Sequence, residues 1–246
     1  MLSRLPDDFT ALVTGASGGI GSAVIDVLLE SDRPGRVIGV SRSGCSRSDP
    51  RFESLALDVT EAKGLAALEG ALDAVPLHLV FNTVGMLHDE QRGIGPEKKL
   101  DDLDAEALSR LYHVNAVTPA LLLKALQPNL KGKHPVTIAS LSARVGSIGD
   151  NRMGGWYAYR ASKAAHNMLM KTASVELRRL NSQISIACLH PGTTDTPLSK
   201  PFQARVPADK LFTAAFVAER LLTVLEGCGP DDSGAFLDWA GESVAW

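Results

Sequence analysis

The chain has 246 residues, a formal net charge of −3, 45% hydrophobic residues and 22% charged residues. This balance provides for a substantial core and argues against disorder. The basic residues are scattered and form no patch or stripe suited to nucleic acid or an anionic membrane.

Short β-branched, apolar runs alternate with helix-length segments along the chain. The runs are TALVT (10–14), RVIGV (36–40), LALDV (55–59), LHLVF (77–81), PVTIAS (135–140), ISIACLH (184–190) and AFLDW (235–239). This rhythm predicts βαβ units and a mainly parallel, seven-stranded, doubly wound sheet with helices on both faces, the α/β class, in one domain over 1–246. Ligands of such sheets bind at the carboxyl ends of the strands, where strand order reverses.

TGASGGIG (14–21) follows the first strand and opens a helical pattern. Gly15, Gly19 and Gly21 allow a tight turn and close approach of a pyrophosphate to free N–H groups at the helix start, although a turn without a ligand has the same composition. Ser41 and Arg42 end the second strand, where a carboxylate would suit a free ribose 2′-OH. A guanidinium there fits a 2′-phosphate, which favours NADP(H) over NAD(H); a solvated arginine is the alternative. Asp58, at the end of the third run, is placed either to accept from an adenine amino group or to cap the helix starting near Thr60. Asn82 and Gly85 in FNTVG (81–85) suit a backbone running beside a flat ligand, or a turn.

In YHVNAVTPALL (112–122), Pro119 has no N–H, so a continuous helix leaves the carbonyl of Asn115 without its usual partner. The expectation is that this carbonyl holds a water linking Lys163 to solvent. Ser140 and Ser142 follow the fifth run and are candidates to hydrogen-bond a developing alkoxide, or to cap a turn. GGWYAYRASKAA (154–165) contains two tyrosines, of which only Tyr159 has a cation four residues on, Lys163. An adjacent ammonium is expected to lower the tyrosine pKa and make an acid able to protonate a carbonyl oxygen.

Together, the three glycines, NTVG, Asn115, a serine after strand five, Tyr159-x-x-x-Lys163 and the PG at 191–192 resemble the short-chain dehydrogenase/reductase family over nearly the whole chain. SARVGSIGDNRMGGWYAYRASKAA and the terminal GAFLDWAGESVAW are similar to the C-factor and sniffer-type carbonyl reductases. The resemblance implies a three-layer Rossmann-type fold and hydride transfer between NADP(H) and a small ketone, aldehyde or alcohol. It implies Tyr159 as general acid/base, Lys163 tuning it and touching the nicotinamide ribose, Ser142 orienting the substrate and Asn115 supporting a proton relay. Cofactor contacts would come from Gly15, Ser17, Gly19, Ile20, Gly21, Ser41, Arg42, Asp58, Val59, Asn82, Val84, Gly85, Tyr159, Lys163, Pro191, Gly192, Thr194 and Thr196. Two departures stand out: Ala143 occupies the family's usual serine position before Gly146, leaving Ser142 with Ser140 as fallback, and NTVG replaces NNAG.

The loops 86–102 and 191–209 are long and polar and flank the expected binding edge, the second as a substrate lid. Cys45, Cys188 and Cys228 are odd in number, widely spaced and in no CxxC pair, so a reduced, cytoplasmic setting without a structural metal is expected. No apolar leader precedes Pro6 and no apolar window suits a membrane span. Relatives commonly assemble through helices matching 103–126 and 157–179, which implies a homodimer or homotetramer. A dinucleotide-binding regulatory protein of the C-factor type, without essential turnover, is the alternative to the enzyme.

Overall fold

Strands buried along their whole length need cover on both faces, and the middle of this sheet is built from such strands. The computed structural model describes residues 1–246 apart from the side chain of Arg205. In chain order it places β1 (Phe9–Thr14), α1 (Gly19–Glu30), β2 (Pro34–Ser41), β3 (Phe52–Ala56), α2 (Ala62–Leu72), β4 (Leu79–Asn82), α3 (Ala105–Tyr112) and α4 (Thr118–Leu130). Next come β5 (Val136–Leu141), α5 (Tyr157–Leu180), β6 (Ile184–His190), β7 (Thr193–Thr194), β8 (Leu211–Phe212), α6 (Ala214–Glu226) and β9 (Ala235–Asp238). β1 and β5 are buried at every position.

Seven strands form one parallel sheet in the order β3-β2-β1-β4-β5-β6-β9, while β7 and β8 make a separate small ladder. The chain winds outward from β1 one way through β2 and β3, then returns to β4 on β1's other side. The reversal therefore lies between β1 and β4, where Thr14 pairs with Asn82. Helices α1 and α6 cover one face, packing Val24, Ile25, Leu28, Val217 and Leu221 on Ala11, Val13 and Phe81. Helices α2, α4 and α5 cover the other, packing Leu68, Leu122, Leu126 and Met170 on Leu12, Ile38, Ile138 and Ile186. Complete burial of one such leucine stabilises the fold by roughly 1.5–3 kcal/mol, so each helix is held by its apolar stripe.

One strand is displaced from its expected place. The third strand is Phe52–Ala56, not 55–59, because its ladder with β2 starts at Val37 opposite Phe52. As an edge strand it alternates between half-buried and exposed positions, so its period is two and not a continuous apolar run. Asp58 accordingly lies in the turn beyond the strand: its Oδ1 accepts from the Thr60 N–H at 3.0 Å and the Thr60 hydroxyl at 2.7 Å. No helix among the described residues is long and apolar enough to cross a membrane.

Candidate active site

The glycine turn stands at the reversal point. Gly15 has φ +77°, and its N–H and that of Ala16 donate to the Val40 carbonyl at the end of β2. A Cβ on Gly21 would lie 2.4 Å from the Gly15 carbonyl oxygen, so the first turn of α1 closes on the loop only with glycine there. Ser17 and Gly18 remain exposed beside it, and Gly19 meets Thr196 from the 191–209 loop. At the end of β2, the Ser41 hydroxyl is buried without a hydrogen-bond partner, while the next residue, Arg42, is exposed. Burial opposes ionisation of Asp58, but the hydrogen bonds from Thr60 and the charges of Arg42 and Arg110 hold its carboxyl below the usual range. Val59 is buried in the adjoining core.

The ends of β1, β4 and β5 are tied by side chains. The Thr14 hydroxyl donates to Asn82 Oδ1 at 2.7 Å, and Asn82 Nδ2 donates to the Ser140 hydroxyl at 2.9 Å. Asn82 Oδ1 also accepts from the Val84 N–H, which fixes the path of NTVG toward Gly85. Asn82 therefore holds three strand ends in register, and Ser140 belongs to that network.

Helix α5 starts abruptly because Trp156, with φ +55°, turns the chain into it. Its first turn is capped from outside: Glu97 of the 86–102 loop accepts the Ala158 N–H on Oε2 and the Trp156 N–H on its backbone carbonyl. Tyr159, Lys163 and His166 fall on the buried face, whereas Tyr157 is only half-buried and outside the site. Lys163 Nζ donates to the Leu141 carbonyl at 2.9 Å and stands 5.9 Å from the centre of the Tyr159 ring.

Burial acts on this pair against the sequence expectation. It pushes the Tyr159 hydroxyl above its ordinary range and brings Lys163 down to about 8. The ammonium donates to a carbonyl rather than to the phenol, so desolvation decides the tyrosine and the expected lowering is not seen.

Asn115 is fully buried at a π turn over His113–Val117, where the Thr118 N–H reaches back five residues to His113. Pro119 frees the Asn115 carbonyl as expected, and the imidazole of His166 lies against it, with Nδ1 3.0 Å away. The Asn115 side chain accepts the Met86 N–H at 2.7 Å and donates to the Met86 carbonyl and the Ser162 hydroxyl. The Ser142 hydroxyl donates to Asn167 Oδ1 at 2.6 Å, so it is directed into α5, and Ala143 packs in the cluster around Tyr159.

A roof of apolar and aromatic groups covers Tyr159. Trp156 lies 6.2 Å from the Tyr159 ring and 5.2 Å from Phe202, and Phe202 lies 5.8 Å from His88. Leu87, Ile94, Leu111 and Leu198 complete the cluster, so both long loops meet over the tyrosine. On the opposite side, Pro191 and Gly192 lead into β7, with Thr194 buried and Thr196 half-buried.

The sequence reading missed His166, Ser162, Asn167 and Glu97. His166 and Asn167 carried a signal, since three- and four-residue steps from Lys163 put them near its face of the helix. Glu97 had none, standing in a polar loop whose path is set by tertiary contacts.

The model of the short chain dehydrogenase family matches residues 9–206, and the chain belongs to that family. It is 31% identical over 192 residues to 1-hydroxy-2-glutathionyl-2-methyl-3-butene dehydrogenase of Rhodococcus sp. (strain AD45), covering 77% of this chain and 78% of the relative. It is 33% identical over 147 residues to the C-signal protein of Myxococcus xanthus, covering 60% of this chain and 83% of the relative. Among solved structures, the NADPH-bound carbonyl reductase from chicken fatty liver superposes with a TM-score of 0.84 at 27% identity, covering 100% of this chain and 96% of that one. The carbonyl reductase Sniffer of D. melanogaster shares the fold, with a TM-score of 0.80 at 23% identity over 98% and 100% of the two chains.

Proposed function

We propose that the chain is an NADP(H)-dependent carbonyl reductase, or alcohol dehydrogenase in reverse, acting on a small, moderately apolar ketone or aldehyde. The observation that carries this reading is the buried Tyr159–Lys163 face of α5, set at the strand ends near the glycine turn and beneath the Trp156–Phe202 roof. NADP(H) fits the residues present: Gly15 and Gly21 let the turn close tightly on itself and leave Ser17 and Gly18 exposed at the start of α1, Ser41 has an orphaned buried hydroxyl, and Arg42 offers an exposed guanidinium. When bound, the cofactor supplies the hydride. Gly15, Ser17, Gly19, Ile20 and Gly21 would hold the pyrophosphate; Ser41 and Arg42 would hold the 2′-phosphate. Asp58, Val59, Asn82, Val84 and Gly85 would line the adenine side, and Pro191, Gly192, Thr194 and Thr196 the carboxamide side.

In this reading the Tyr159 hydroxyl, kept protonated by burial, gives its proton to the carbonyl oxygen as hydride reaches carbon. Lys163 holds a positive charge beside it that stabilises the phenolate left behind. Asn115 ties Met86, and with it the chain leaving NTVG, to the π turn, and its bond to Ser162 joins that turn to α5. Ser142 reaches a substrate oxygen only by exchanging its Asn167 partner. The apolar roof, with 191–209 as a lid over the single domain, selects an apolar substituent next to the carbonyl. The test is NADPH oxidation against a panel of small aromatic and aliphatic ketones and aldehydes. Turnover preferring apolar members, with NADPH favoured over NADH, is expected; no turnover across the panel contradicts the reading.

The protein is further read as a cytoplasmic homodimer or homotetramer. Support comes from its three free cysteines and from exposed apolar side chains on the helices flanking the site: Val117, Leu121, Met168 and Val175.

A further inference from the structure

His166 has no part in the chemistry above, yet it is fully buried one turn beyond Lys163. Its Nδ1 lies 3.0 Å from the carbonyl oxygen that Pro119 releases, and a carbonyl only accepts, so Nδ1 carries the proton. The ring also faces the Ser140 backbone, so it is set between main-chain groups of the π turn and of β5.

The bonding around Asn115 shows what the ring does there. Its side chain donates to the Ser162 hydroxyl at 3.0 Å, and that hydroxyl donates to the Tyr159 carbonyl at 2.9 Å. Its main chain accepts from His166. Helix α5 is thus tied to one residue of the π turn at positions 162 and 166, on either side of Lys163. A helix held at a single point can rotate about its axis or slide along it. Held on both sides of Lys163, it presents the ammonium to the Leu141 carbonyl and the cleft in one orientation.

We infer that His166 is a positioning residue for proton transfer: its imidazole clamps the Asn115 carbonyl and, through Asn115 and α5, sets Lys163 and Tyr159. This rests on the reading of Tyr159 and Lys163 given above. The side chain touches neither cofactor nor substrate and acts through Asn115 and α5.

Three variants and one spectroscopic measurement test it. His166→Leu keeps an apolar filling but removes the donor, and its kcat for NADPH-dependent reduction should fall about tenfold, the weight of one misplaced catalytic contact, with KM changed less than about twofold. His166→Gln retains an N–H able to reach the carbonyl and should return kcat to within about threefold of the parent, as expected when one neutral hydrogen bond replaces another. Tyr159→Phe serves as the control for complete loss of the proton donor. Unchanged kcat in His166→Leu overturns the proposal. So does a loss that tracks only the folded fraction, or one that the Gln variant fails to restore. The fourth measurement, nitrogen–proton NMR of the histidine rings in the unmodified protein, is independent of turnover. It should show His166 neutral, with a slowly exchanging proton on Nδ1, at neutral pH. A proton on Nε2 overturns the clamp even if the enzyme is active. Absence of carbonyl reduction in the unmodified protein, with the NMR result as expected, overturns the functional reading and leaves the clamp standing.

Discussion

Tyr159 and Lys163 share one desolvated environment, and desolvation favours the neutral form of each. For tyrosine the neutral form is the proton donor, so burial keeps the acid loaded. For lysine it brings the ionisation to about 8, with the charged form present below that value and lost above it. The kcat/KM for carbonyl reduction should therefore hold level through pH 7 and decline as pH rises past about 8. A profile flat to pH 10 would contradict the assignment of Lys163. At the other end of the site, Arg42→Ala removes a charge-assisted contact of about 1.5–3 kcal/mol, so NADPH binding should weaken at least about tenfold while NADH changes little. Equal weakening of both cofactors by fluorescence titration would remove Arg42 from the 2′-phosphate site. The Tyr159–Lys163 pair was legible because four-residue spacing defines a helix face. The direction of Ser142 was not, since its partner Asn167 is brought to it by the packing of α5 on β5 and β6.

At the scale of elements, the π turn between α3 and α4 is the feature on which the site's rear wall depends. Proline 119 made the loss of a helical bond at Asn115 readable, but the replacement came from a different helix, and only the packing of α5 shows it. Pro119→Ala restores an N–H that can donate to the Asn115 carbonyl in competition with His166. Alanine is the best helix former, so the variant should fold normally with kcat lowered, and the His166 ring proton should exchange faster. Unchanged turnover and exchange would show that the carbonyl has no need of the imidazole. The place of the third strand was hidden in the sequence for a related reason: an edge strand is only half covered, and the more apolar LALDV run extends beyond its end. Exposed Met168 and Val175 on α5 extend this scale to assembly. Replacing both by glutamate should convert the particle measured by light scattering to a monomer, and a monomeric parent would contradict assembly through that face.

For the molecule as a whole, the number of main strands and their mainly parallel arrangement were readable because fully buried parallel strands and amphipathic helices have different periods. The meeting of the loops 86–102 and 191–209 over Tyr159 was not, because His88, Trp156 and Phe202 come together only in the folded chain. Burial has a global consequence too. Desolvation, with the Lys163 charge behind it, pushes His166 down to about 3, and desolvation with Arg144 pushes His190 down to about 4. Below about pH 6.5 the unfolded chain binds protons that these native side chains refuse. Stability present above that value is thus lost on acidification, by up to about 1.4 kcal/mol per pH unit for each histidine until the native values are reached. The melting temperature should fall steadily between pH 6.5 and 4.5, and a constant Tm over that interval would show that the two rings titrate freely.

The central claim is that one buried phenol hands its proton to a carbonyl while NADPH is held at the glycine turn. The most direct measurement compares Tyr159→Phe with the parent protein in two assays: NADPH binding by fluorescence titration and single-turnover reduction of the best ketone in the panel. The account predicts cofactor binding within about threefold of the parent and a loss of reduction of at least about a hundredfold, the range for removal of a general acid. Reduction at the parent's rate in the phenylalanine variant would contradict it.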